Sequence, residues 1–142
     1  MSEVLTVHEQ SRVVPTRPAL WWPGVALSAG GAIAASLVAG AARAAGAPLE
    51  VAGEAIPLFA FAQLAFIFSL LGVVLAAACR RYSRRPVGVF LRMTFALVVL
   101  SFIPDLLTPD IDAASRVALI CSHIAVAAVV IPGLEARLRQ AS

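Results

Sequence analysis

His123 stands inside "LICSHIAVAAVVIP" (Leu119 to Pro132), a stretch otherwise almost wholly apolar. Three more polar groups occupy apolar surroundings: Asp105 in "SFIPDLLTP", Arg116, and Gln63. An imidazole exchanges protons near neutral pH, binds metals, or donates and accepts hydrogen bonds. A carboxylate and a guanidinium pair with each other. In hydrocarbon a charged side chain costs about 2.5–3.5 kcal/mol at the centre of a span, so each needs a partner or a function. Metal or haem ligation has little support, because the only other histidine, His8, lies in the polar N-terminal stretch. No HExxH motif is present, and no pair of carboxylates shares an apolar segment. The chain therefore reads as a non-enzyme with no cofactor and no metal.

The elements that carry these residues follow from composition. Of 142 residues, 61% are hydrophobic and 13% charged, against about 25% charged in soluble domains. Mean hydropathy is +0.92. A soluble chain this short could not hide so much apolar surface. Four apolar segments stand out: Ala19 to Ala42, Leu58 to Cys79, Val87 to Leu107 and Ala113 to Ile131. Each approaches the ~20 residues that cross a hydrocarbon core at 1.5 Å per residue. Backbone groups in lipid must find partners internally, which predicts helices. The connections "AAGAPLEVAGEAIP", "RRYSRRPVG" and "TPDID" read as loops. Cys79 and Cys121 lack CxxC spacing and read as small apolar packing residues.

A net charge of +3 with a pI near 9.7 is topological here and does not imply nucleic acid. All 11 basic residues are Arg. With the N-terminus inside, Arg12, Arg17, Arg80, Arg81, Arg84, Arg85, Arg137 and Arg139 are cytoplasmic, and Arg92 lies near that face. Only Arg43 and Arg116 fall outside, so both tails are expected in the cytoplasm. Residues 1–18 are expected to form a mobile tail and 19–142 one four-span domain. The polar lead and the long first apolar run are both too long for a cleaved signal peptide, so the first segment is expected to remain as an anchor. That segment is rich in small residues. Gly30 and Ala34, Gly31 and Ala35, and Ser36 and Gly40 are spaced four apart, which lets helices approach closely within the bundle or in a homo-oligomer or membrane partner.

Depth then relates the polar groups. Asp105 near the end of the third segment and Arg116 near the start of the fourth both lie roughly 5 Å below the outer boundary, so they are expected to pair, with Gln63 joining them. His123 lies roughly 15 Å from Ala113 along the axis, level with Ser69, Gly30, Gly31 and Leu97 to Ser101. By this count Asp105 is about 10 Å higher. His123 is then expected to be uncharged and to bond a serine hydroxyl or a helix carbonyl. Pro104 is expected to kink the third helix beside Asp105.

At "SHIAVAAVVIPGLEARL" the chain resembles a family of small four-span bacterial membrane proteins grouped as a domain of unknown function. The resemblance rests on "ARAAG-x-x-L-x-V" after the first helix, here Ala42 to Val51, and on a fourth-helix histidine followed by Ile-Pro-Gly, here His123 and Ile131 to Gly133. It covers most of the chain, implies four spans, and brings no activity.

These readings converge on an all-α, four-helix transmembrane bundle with antiparallel neighbours, N-in and C-in, in a bacterial inner membrane. The bilayer is its first partner. The expected function is non-enzymatic packing or interaction. The alternative is binding or transport of a small molecule or ion through an outward-facing polar pocket of Gln63, Asp105, Arg116 and His123.

Overall fold

In a computed structural model, residues 20–51 and 53–140 are described. The N-terminal tail expected at residues 1–18, with Arg12, Arg17 and His8, lies outside them, as does Ala19. Four helices follow in order: α1 (Trp21–Ala44), α2 (Leu58–Tyr82), α3 (Pro86–Leu107) and α4 (Ala113–Gln140). All four are long and apolar enough to cross a membrane. Pro86 opens α3 at its first turn, where its missing N–H has no helical partner to lose. Asp112 starts α4, accepting from the backbone N–H groups of Ala114 (2.9 Å) and Ser115 (3.0 Å). The Ser115 hydroxyl, which adjoins this carboxyl without closing a full hydrogen bond, and the N–H groups of Ser115 and Ala114 hold it below the usual carboxylate range.

α4 runs past Ile131, through Pro132, to Gln140. Its extension beyond the apolar run is amphipathic. Leu134 and Leu138 are fully buried, and Glu135 pairs with Arg139 one turn on. α3 likewise continues through Pro104 to Leu107. Thr108 closes its end, with both its N–H (2.9 Å) and its hydroxyl (2.6 Å) donating to the Pro104 carbonyl.

The helices form one bundle in which α1 packs most extensively, against α2 and α4, while α3 rests on α4 and α2. The buried face of α1 is Gly24, Ser28, Gly31, Ala35 and Ala39, all small. A Cβ on Gly24 would stand 2.6 Å from Val73 Cγ1. One on Gly31 would stand 3.0 Å from both Ser69 Oγ and Val130 Cγ2. From the other side, a Cβ on Gly133 of α4 would collide with Leu27. Backbone-to-side-chain contact of this kind replaces the hydrophobic drive that lipid removes. Gly31 against Ser69 also matches the common level read from the sequence.

The segment after α1 holds more than a loop. Glu50–Val51 and Glu54–Ala55 pair as a two-residue-stranded antiparallel hairpin, β1 and β2, with Gly53 at φ +80° in its turn. Among the described residues the fold is all-α apart from this hairpin. Leu49, just before it, has φ +51°, is fully buried, and joins Ala35, Ala39, Phe61 and Ala118 in one apolar cluster. Arg43 Nη2 donates to the Ile56 carbonyl at 2.8 Å and ties the hairpin to the end of α1. Strands this short carry no period a sequence reading can detect.

Candidate polar site between α3 and α4

Asp105 and His123 meet. His123 Nε2 lies 3.1 Å from Asp105 Oδ2. The distance suits a charge-assisted contact, although no donor is aligned on Oδ2. The Phe102 ring meets the imidazole edge-on, with centroids 6.2 Å apart and planes at 70°. Phe102 and Asp105 are three apart on α3 and so share a face. This is the arrangement that counting residues along the helix axes ruled out. The correction has a simple cause. Side chains lean toward the N-terminus of their own helix. Asp105, near the end of α3, leans back along α3. His123 leans back toward the start of α4, where residues 108–112 join the two helices. The leans close a gap that a Cα count leaves open.

The expected Asp105–Arg116 ion pair is not formed. Arg116 Nη2 donates instead to the Thr108 carbonyl at 3.2 Å, and its Nε is buried without a partner. Gln63 is exposed on α2 and does not join the group. The level of Gln63 follows from the sequence, but the direction it faces does not. Nor does His123 bond a serine. The hydroxyls of Ser28, Ser36, Thr94, Ser101 and Ser122 donate to carbonyls of their own helices, which satisfies them without linking helices. Cys79 is buried and Cys121 exposed.

The two partners of the pair differ in exposure. The Asp105 side chain is 11% exposed and that of His123 39%. Below the pair, Leu91, Thr94, Phe95, Val98, Ala127 and Ile131 line a shallow apolar groove of about 370 Å³ between α3 and α4. Val98 and Phe102 are one turn apart, as are Ala127 and His123, so groove and pair lie on one seam. A second cleft of about 400 Å³ lies between the start of α1 and the end of α4, where Arg137 and Gln140 meet Pro23 and Leu27. Among the described residues no three His, Cys, Asp or Glu side chains cluster as a metal site would require. Phe102 and Thr108 escaped the sequence reading. The three-residue step from Phe102 to Asp105 was the available signal for Phe102.

Four helices, each long and apolar enough to cross a membrane, define a multi-pass helical membrane protein. The chain belongs to the family of unknown function DUF6069, whose model matches residues 15–140. No curated protein and no solved structure matches it.

Proposed function

We propose that this is a non-enzymatic membrane protein, a single four-span domain whose α3–α4 seam takes up a guest from the bilayer. The observation that carries this reading is the asymmetry of the Asp105–His123 pair. A pair serving only to join two helices gains most when both groups are enclosed. Here the carboxylate is enclosed, while the imidazole stays partly exposed. An ionisable residue held inside a span at an open position marks a ligand or proton site. The groove beside it falls within the ~300–1,000 Å³ of small-molecule sites. Gln63, exposed on α2, is not part of this reading.

Placement in a bacterial inner membrane with both tails cytoplasmic is part of the proposal. The arginines support it, nine against two, and so does the antiparallel order of neighbouring helices that the short connections favour. The polar pair then lies toward the outer half. Self-association is a second reading. Gly31 and Ala35 are covered inside the bundle, but a Cβ on Gly40 would meet nothing within 4 Å. Ser36 and Gly40 thus keep one small-xxx-small pair for a partner helix.

The test compares lipids retained by wild-type protein and His123→Leu purified from the same membranes. The expected result is an amphiphile held by the wild type and lost from the variant, with helicity unchanged. Identical extracts would remove the reading.

A further inference from the structure

The start of α1 and the end of α4 bound a cleft of about 400 Å³ that shares no lining residue with the α3–α4 groove. Ala26 and Leu27 line it from α1, and Gly133, Ala136, Arg137 and Gln140 from α4. The last four are spaced three or four apart, so they form one stripe. The stripe changes character along the axis. Gly133 and Ala136 are apolar, and the missing side chain of Gly133 lets Leu27 come close. Arg137 and Gln140, both exposed, stand nearer the helix end. From Gly133 to Gln140 is roughly 10 Å at 1.5 Å per residue. That length suits a polar head with the first carbons of a chain, the remainder lying in the bilayer.

The sign of the head follows from the charges around the cleft. A buried cluster containing Leu20, Cys79, Phe90 and Leu138 gathers the start of α1, the end of α2, the start of α3 and the end of α4 at one end of the bundle. Among the described residues that end carries Arg80, Arg81, Arg84, Arg85, Arg137 and Arg139 against a single acid, Glu135. Glu135 already accepts from both Nε and Nη2 of Arg139. The Arg137 side chain has no hydrogen-bond or ion-pair partner among the described residues. Its planar fork matches a phosphate. A zwitterionic head would also need a carboxylate for its ammonium, and Glu135 is engaged. Trp21, Trp22 and Tyr82 are exposed at the same end. Such rings collect where hydrocarbon meets water, which sets Arg137 at the level of lipid phosphates.

We propose that this cleft binds one anionic phospholipid, its phosphate paired with Arg137 and one acyl chain lying over Leu27 and Gly133. Gln140 offers an amide N–H to an ester or glycerol oxygen. The other arginines draw anionic lipid to this end of the bundle, and the cleft fixes where one molecule stops. The site is separate from the α3–α4 seam, so neither reading depends on the other.

The chain's two tryptophans, Trp21 and Trp22, open α1 beside the cleft and report on it. The experiment places the full chain in phosphatidylcholine vesicles with rising fractions of phosphatidylglycerol brominated on one acyl chain, or of phosphatidylcholine brominated likewise. The readout is quenching of tryptophan fluorescence. The expected result is quenching by phosphatidylglycerol that saturates at low fraction, at least about tenfold tighter than by phosphatidylcholine. Arg137→Gln should weaken it about tenfold, whereas Arg81→Gln, outside the cleft, should change it less than about twofold. Ala136→Phe should fill the cleft and weaken binding with every charge kept. Both Ala136 and Arg137 are exposed, so helicity and thermal midpoint should stay at wild-type values. Excess inorganic phosphate should leave the quenching unchanged. Equal quenching by the two lipids would overturn the proposal. Equal losses in Arg137→Gln and Arg81→Gln would overturn it in favour of diffuse attraction. Full displacement by inorganic phosphate would overturn it in favour of a free anion. A wild-type dimer that forms without phosphatidylglycerol and is lost in Ala136→Phe would put a second copy in the cleft and overturn it as well.

Discussion

His123 Nε2 stands 3.1 Å from Asp105 Oδ2, while the nearby Arg116 turns away to the Thr108 carbonyl. Coupling should therefore appear between Asp105 and His123 and be absent between Asp105 and Arg116. Asp105→Asn and His123→Asn should each destabilise the protein by about 1–2 kcal/mol, toward the low end for a buried pair because the imidazole is partly open. The double variant should lose less than their sum, by about 1 kcal/mol. Asp105→Asn with Arg116→Gln should be additive. Strict additivity in the His123 cycle, measured by unfolding in detergent micelles, would show that the contact has no energetic weight.

Glycines along α1 should differ according to what they touch. Gly24→Val and Gly31→Val push side chains into Val73, or into Ser69 and Val130. Each should cost about 1–3 kcal/mol by overpacking. Gly40→Val meets open space and should leave the thermal midpoint nearly unchanged. If Gly40→Val instead changes the oligomeric state in size-exclusion chromatography with light scattering, a partner helix sits there.

Asp112 supplies an acid-sensitive cap. Its carboxyl is held below the ordinary range by the adjoining Ser115 hydroxyl and the N–H groups of Ser115 and Ala114. A group whose folded pKa is depressed stabilises the fold above the unfolded value, near 3.9, and loses that contribution as pH falls through the lower folded value. Melting followed between pH 7 and pH 2 should show an acid limb that shrinks in Asp112→Asn. The asparagine still caps the helix but does not titrate in that range. An unchanged limb would assign the acid sensitivity to other carboxyls.

Topology is open to direct measurement. Reporter fusions after Arg85 and at Ser142 should read cytoplasmic, and one after Gly53 external. A C-terminal fusion that reads external would contradict the arginine distribution as the guide to orientation.

Four spans were legible from composition and punctuation alone, because hydrocarbon demands about twenty apolar residues per crossing. Pro86 and the "TPDID" link mark element ends by backbone chemistry that needs no partner. The small residues of α1 were visible as spacing, although of the three pairs only Gly31 and Ala35 lie on its buried face, and the shared level of Gly31 and Ser69 followed from counting residues. What faces what was not legible. Helix α4 outran its apolar stretch, where Leu134 and Leu138 are buried against neighbours, and Leu49, at φ +51°, is enclosed by a cluster drawn from other elements. The partner of His123 is the clearest case. A sequence gives distance along an axis, whereas contact between helices depends on rotation, on tilt and on the lean of each side chain toward its own N-terminus. Those quantities are set by packing across the bundle, so tertiary structure alone joined Asp105 to His123, released Arg116 to Thr108, and left Gln63 exposed.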